Sequence, residues 1–206
     1  KFSVLQNPFG ILYNPSSIHT ALQILLEEQA MSEDILFNYK GLWHSPFHHS
    51  RFSGLDKTVV WGNIKSSLET AKKQLKMSNR LIITLGTAFV YEDIKSQQVV
   101  ANCHKLPAQQ FQKRRLSVAE IVNTFVPIFK NLIKKNPALK IILTVSPVRH
   151  IRDGVIENQR SKSTLLLAVD KICQQIQSAY YFPAYELVLD DLRDYRFFAA
   201  DMVHPN

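Results

Sequence analysis

The sequence predicts an α/β protein with a mostly parallel sheet. Two runs, Arg80-Leu81-Ile82-Ile83-Thr84-Leu85 and Lys140-Ile141-Ile142-Leu143-Thr144-Val145, are apolar almost without alternation. Strands of that kind are buried on both faces, as in parallel sheets. A third observation is order. Strand-like runs are separated by helix-period segments, and such chains build parallel sheets with right-handed crossovers and helices on both faces. Composition agrees, with 206 residues, 46% hydrophobic and 20% charged, enough for one domain with a sizeable core.

Taken in order, Phe2-Ser3-Val4-Leu5 reads as a first strand that ends in the turn formers Gln6-Asn7-Pro8-Phe9-Gly10. Asn14-Pro15 opens a helix, because Asn caps well and Pro suits the first helical position. Ile18, Leu22, Leu25 and Leu26 give its apolar face, which fades near Met31. Residues 35–62 keep no period: Phe37, Trp43, Phe47, Phe52 and Trp61 interleave with His44, His48 and His49. This reads as a long ordered loop with short strands, and loops of such length are usually functional. Gly62-Asn63 starts a second helix with Ile64, Leu68, Ala71 and Leu75 inward.

The first apolar strand ends in Gly86-Thr87-Ala88, and residues 89–111 read as irregular. Ser117-Val118-Ala119-Glu120 is a capping box for a helix that reaches about Lys135, bends at Pro127 and stops at Asn136-Pro137. The second apolar strand ends in Ser146-Pro147-Val148-Arg149-His150. Ser161 is read as the cap of a further helix, with Leu165, Leu166, Val169, Ile172, Cys173 and Ile176 inward. Residues 181–188 supply a last short strand, and residues 190–195 a helical turn.

The formal net charge of +8 would suit an acidic partner. The cations are scattered, however: Lys72, Lys73 and Lys76 on one helix, Lys130, Lys134 and Lys135 on another, and Lys113-Arg114-Arg115 in a polar loop. No nucleic-acid partner is expected. Cys103 and Cys173 lack the spacing of a disulfide framework or a zinc site. His44, His48 and His49 have no acid at ligand spacing, so no metal is expected. No run of 18 apolar residues and no signal peptide is visible, which gives the expectation of a cytoplasmic protein without a membrane span.

The chemistry concentrates at Asp201-Met202-Val203-His204-Pro205. An acid three residues before a histidine can lie on one short helical turn and accept a hydrogen bond from one ring nitrogen. That fixes the tautomer and leaves the other nitrogen as a general base. In open parallel sheets the site lies at the carboxyl ends of the strands. Gly10, Gly86, Thr87, Ser146 and the Asp201/His204 pair are expected there. Ser146 is read as structural, since Pro147 follows it and no glycine elbow surrounds it. Asn14, Asn102, His104, Trp43 and His150 are the residues expected to border a pocket. Trp43 and Tyr91 offer aromatic faces for a sugar ring.

Several phrases resemble the GSCFA family, a branch of the SGNH/GDSL-like hydrolases. They are Asn7-Pro8-Phe9-Gly10-Ile11-Leu12-Tyr13-Asn14-Pro15, Ile83-Thr84-Leu85-Gly86-Thr87-Ala88, Asn102-Cys103-His104-Lys105, Thr144-Val145-Ser146-Pro147-Val148-Arg149-His150, Asp194-Tyr195-Arg196-Phe197, and the Asp201–Pro205 stretch. The resemblance covers nearly the whole chain, as a single domain over residues 1–206. It implies a three-layer α/β/α fold of the SGNH or flavodoxin-like kind. It also implies ester hydrolysis or acyl transfer on an acylated saccharide, a lipid or another small ester. By that resemblance His204 is the base, Asp201 its orienter, and Gly10 the oxyanion-hole glycine. Serine acyl chemistry of this kind needs no cofactor.

The chain departs from the family pattern twice. The third block is usually Gly-x-Asn, and Gly86-Thr87-Ala88 lacks the asparagine. The resemblance then leaves the Thr87 hydroxyl or backbone N–H as oxyanion donor. The 206 residues also hold no Gly-Ser-Cys-Phe-Ala motif, whose serine resembles the SGNH nucleophile. The chain starts with Lys1 at what reads as a second strand, so a first strand and helix with the nucleophile are expected upstream. Two other readings stand beside the enzyme: a catalytically inactive SGNH-fold binding protein, and a basic nucleic-acid binder.

Overall fold

A computed structural model of the chain describes residues 3–192 and 197–205. Phe2, the phrase Asp194-Tyr195-Arg196 and the end of the expected 190–195 turn lie outside the described residues. The protein is mixed α/β. In chain order its elements are α1 (Pro15–Leu25), β1 (Phe37–Tyr39), β2 (Leu42–His44), α2 (Lys57–Met77), β3 (Arg80–Leu85), β4 (Phe89–Asp93), β5 (Val99–Val100), β6 (Phe111–Arg115), α3 (Val118–Lys135), β7 (Lys140–Val145), α4 (Val155–Gln175), β8 (Ala179–Tyr181) and α5 (Ala184–Glu186). They fall into two compact units, Lys1–Ser78 with Val90–Arg114, and Asn79–Phe89 with Arg115–Asn206. Among the described residues no helix is long and apolar enough to cross a membrane.

In the first unit, α1 starts as its sequence dictates. The Asn14 side chain accepts the Ser17 N–H at 2.8 Å, and Pro15 takes the first helical position. The helix stops at Leu25, short of Met31, because Glu27 turns left-handed at φ +63°. Residues 35–62 are more regular than expected. β1 and β2 pair antiparallel across Lys40-Gly41, and both turn residues have positive φ, as a two-residue hairpin requires. α2 begins at Lys57 rather than at Gly62, because the Asp56 carboxylate caps it by accepting the Val59 N–H at 3.0 Å. Phe9, Ala21, Ile24, Leu36, Val60, Ile64 and Leu68 form one core.

Two further expectations fail here. Residues 3–7 form no strand: Val4 is 71% exposed, and no described strand offers it a ladder. Residues 89–111 are not irregular but supply the sheet β5-β4-β6. Its strands are only two to five residues long and half exposed, so no apolar period marks them. Arg114 pairs with Glu92 at 2.7 Å across the last two.

The second unit is built on a parallel sheet ordered β3-β7-β8, as the three-layer α/β/α expectation requires. Arg80 pairs with Lys140 through to Leu85 with Val145, and Ile141 pairs with Ala179. Both crossovers step the same way across the sheet. Right-handedness therefore puts α3 and α4 on the same face, where they pack on each other. Ile121, Phe125 and Phe129 of α3 and Leu165 and Ile172 of α4 are fully buried, as are Leu85, Ile141, Leu143 and Val145 of the strands. The Phe125 and Phe129 rings stack at 5.0 Å. The α3 capping box is present, with Ser117 N–H on Glu120 at 2.7 Å and Glu120 N–H on the Ser117 hydroxyl at 3.1 Å.

Sequence and structure part at three places in this unit. β3 is not buried on both faces: Ile83 and Leu85 are, but Ile82 is 66% exposed, because β3 is an edge strand and Ile82 points away from the helices. α4 starts at Val155, with Gly154 at φ +83° before it, so Ser161 lies inside the helix and does not cap it. The last strand is Ala179–Tyr181, and the residues expected to extend it form α5 and a wide turn at 187–191. The ladder ends there because the Ala184 N–H, which would carry the next rung to β7, turns back to Phe182 O at 2.9 Å.

Candidate functional site

The carboxyl ends of β3 and β7 are gripped by the first turns of α4. The Ser146 N–H donates to Leu85 O at 2.9 Å, the last rung of the ladder. Beyond it, Lys162 Nζ donates to Gly86 O and to Ser146 O, both at 2.6 Å. Lys162 is fully buried, and burial pushes its pKa down to about 8. The Ser161 hydroxyl accepts the Ala88 N–H at 2.8 Å and lies 3.1 Å from the Thr87 hydroxyl. Thr87 Oγ1 also accepts the Phe89 N–H at 3.1 Å. Asn158 accepts the His150 N–H at 2.9 Å. None of Asn158, Ser161 and Lys162 was expected here. Their signal lay in spacing: positions 158, 161 and 162 continue the buried stripe of Leu165, Ala168, Val169 and Ile172, so three polar side chains occupy a core face.

The Asp201/His204 pair forms, although not on a helix. Asp201 Oδ1 accepts the N–H groups of Val203 at 2.9 Å and His204 at 3.1 Å, and Met202 is left-handed at φ +57°. This is an Asx turn, which suits an aspartate. It folds the His204 ring back, so that its Nδ1 lies 2.6 Å from Asp201 Oδ2. The backbone hydrogen bonds, the first from Val203, and the imidazole hold the Asp201 carboxyl down at about 2. His204 Nε2 makes no hydrogen bond among the described residues. Arg149, in the loop after β7, pins the turn. Its N–H donates to Val203 O at 3.3 Å, its guanidinium donates to Met202 O at 2.8 Å, and that guanidinium lies 4.7 Å over the Phe198 ring. The dyad turn is thus tied to the same strand ends that Lys162 and Ser161 hold.

The GSCFA family model matches residues 1–206. The chain belongs to the GSCFA family. No curated protein and no solved structure matches it.

The other expected site residues of this GSCFA protein lie in the first unit, except His150, which is half-buried beside Asn158. Gly10 is a glycine for two local reasons: φ is +81°, and a Cβ there would meet His49 Cβ at 2.2 Å. Its N–H donates to Asn7 O at 2.8 Å. Asn14 is the α1 cap, and Asn102 accepts the His104 N–H at 2.8 Å. His104 is buried, its Nε2 2.8 Å from Ser45 O and its ring 4.5 Å from that of His44. His48 is buried between Phe9 and Phe52, its Nδ1 2.8 Å from the Ser45 hydroxyl. Burial pushes His48 down to about 3 and His104 to about 4, so both are neutral packing groups at neutral pH. Among the described residues no three His, Cys, Asp or Glu side chains converge to hold a metal. Trp43 sits on β2, with the Lys57 ammonium 5.3 Å over its ring. Burial raises the Cys103 thiol to about 11, which makes it a poor nucleophile. In the second unit, a groove of about 400 Å³ runs between Lys130, Lys134 and Gln175. It borders Ser178, at the amino end of β8, and holds none of these residues.

Proposed function

We propose that this GSCFA protein is an SGNH/GDSL-like serine esterase or O-acyltransferase whose general base is His204, oriented by Asp201. The observation that carries the reading is the 2.6 Å contact between His204 Nδ1 and Asp201 Oδ2, with Nε2 uncommitted among the described residues. A carboxylate on Nδ1 selects the tautomer whose Nε2 lone pair accepts a proton. Nε2 takes the proton of a serine hydroxyl as its oxygen attacks the ester carbonyl. Collapse of the tetrahedral intermediate expels the alkoxide, which receives that proton, and leaves an acyl-serine. Water or an acceptor hydroxyl then reverses the sequence and carries the acyl group away. The family resemblance assigns the nucleophile to a Gly-Ser-Cys-Phe-Ala segment, which these 206 residues do not contain.

The Gly10 amide is engaged by Asn7, so the reading gives the oxyanion to the Thr87 N–H. The substrate class is an acylated saccharide, lipid or other small ester. The test is p-nitrophenyl acetate turnover by the protein expressed from its complete reading frame. His204→Ala should lower kcat at least about 10³-fold, and Asp201→Asn about 10²- to 10⁴-fold, with the fold intact. Turnover equal in wild type and His204→Ala would sink the reading. No turnover at all would leave the inactive SGNH-fold binding protein.

A further inference from the structure

In a parallel ladder every second residue of a strand bonds the two residues that flank its partner. After the Ser146 N–H to Leu85 O bond, the next two rungs would run from Thr87 N–H to Ser146 O and from Val148 N–H to Thr87 O. Neither forms. Ser146 O is taken by Lys162 Nζ at 2.6 Å, and the Val148 N–H turns back to the Ser146 hydroxyl at 3.2 Å. The two strands therefore part at a fixed point, and the Thr87 N–H is left without an acceptor among the described residues.

Lys162 makes a second contact with the same consequence. It holds Gly86 O, and Gly86 O shares a peptide plane with the Thr87 N–H. The carbonyl and the N–H of a trans peptide point in opposite directions. Fixing one on Lys162 aims the other away from it. The Thr87 hydroxyl is already held in its own turn with Phe89 and Ser161, which leaves the amide as the group on offer. A lysine suits the task because one head carries three donors on a stem long enough to reach both strand ends from α4.

We propose that Lys162 is a positioning residue: it blocks the next rung between β3 and β7 and so keeps the Thr87 N–H presented to an oxyanion. This rests on the esterase reading for the identity of the anion, but not for the blocked rung.

The experiment is amide hydrogen exchange at Thr87 in the ¹⁵N-labelled full-length protein, wild type and Lys162→Met, beside p-nitrophenyl acetate kinetics. In wild type the Thr87 amide should exchange fast. In Lys162→Met the rung should close and Thr87 exchange should slow, while kcat falls about 10²-fold, as for loss of one oxyanion donor, with little change in KM. A variant that is merely loosened would exchange faster, so the sign separates positioning from structural support. A protected Thr87 amide in wild type overturns the proposal even if the variant does not fold. Unslowed exchange or unchanged kcat in Lys162→Met overturns it too, while loss of turnover in His204→Ala would leave the esterase reading standing. A wild type without turnover removes the esterase reading and the oxyanion role. Slowed exchange in Lys162→Met would then still support the blocked rung.

Discussion

Replacing Gly10 by alanine should cost far more stability than replacing Gly41, although both glycines sit at nearly the same φ. Gly10 has φ +81° and Gly41 φ +78°. An L-residue in that region loses roughly 1–2 kcal/mol. At Gly41 a Cβ would meet nothing within 4 Å, so the conformational cost is the whole effect. At Gly10 the new Cβ would stand 2.2 Å from His49 Cβ and 3.3 Å from His49 Cα, against an ordinary contact of 3.4–4 Å. Those atoms are not the far end of a flexible side chain. The His49 backbone is itself fixed by its N–H to Phe9 O at 2.9 Å, so the neighbour cannot give way cheaply. Overpacking of this kind adds about 1–3 kcal/mol. Gly10→Ala should thus lose about 2–5 kcal/mol and Gly41→Ala about 1–2 kcal/mol. Both positions lie in the same unit, so urea denaturation followed by one probe compares them directly, each ΔΔG being the midpoint shift multiplied by m. A Gly10→Ala midpoint no lower than that of Gly41→Ala would refute the reasoning, because it would mean that the His49 contact carries no strain.

Acid should weaken the first unit. His48 and His104 are held near 3 and 4 when folded and titrate near 6.5 unfolded, so below pH 6.5 the unfolded chain takes up protons that the native state refuses. Stability should fall by up to about 1.4 kcal/mol per pH unit from His48, with a smaller addition from His104, and should gain nothing above pH 6.5. A urea midpoint that stays flat from pH 7 to 4.5 would contradict this. Ser117→Ala removes one half of the α3 capping box and should cost about 1 kcal/mol by thermal or urea unfolding; an unchanged midpoint would mean the box is not formed. Phe129→Ala empties a fully buried position stacked on Phe125 and should cost about 3–5 kcal/mol. A loss below 1 kcal/mol would show that the core around α3 closes over the gap.

The parallel sheet was legible because β3 and β7 are written in aliphatic residues, and α1 and α3 because Asn14-Pro15 and Ser117/Glu120 are local signals that tertiary packing did not override. α2 and α4 were misplaced at their starts for one shared reason. In their first turns Val59, Val155 and Ile156 are exposed rather than inward, so no apolar face announces the start, and the caps in use, Asp56 and Gly154, sit among residues that read equally well as loop. β4, β5 and β6 escaped because short strands with one open face bury too little to impose alternation. At the site, the Asp201/His204 contact was foreseen from spacing alone, but its backbone was not, since an Asx turn and a helical turn bring the same two side chains together. Lys162 was invisible to composition-based reading, which assigns lysines to solvated faces. Only its place in the heptad-like stripe with Leu165 and Val169 marks it as inward.

The Asx turn around Asp201 also fixes what titrates. Its carboxylate receives two backbone N–H groups and the imidazole, and stays anionic down to about pH 2 although it is open to solvent. Through the whole range in which the protein stays folded, the charge beside His204 is therefore constant. Any pH–rate profile that runs through this pair carries no Asp201 limb above about pH 2, and changing the Met202 or Val203 side chain should alter its height alone.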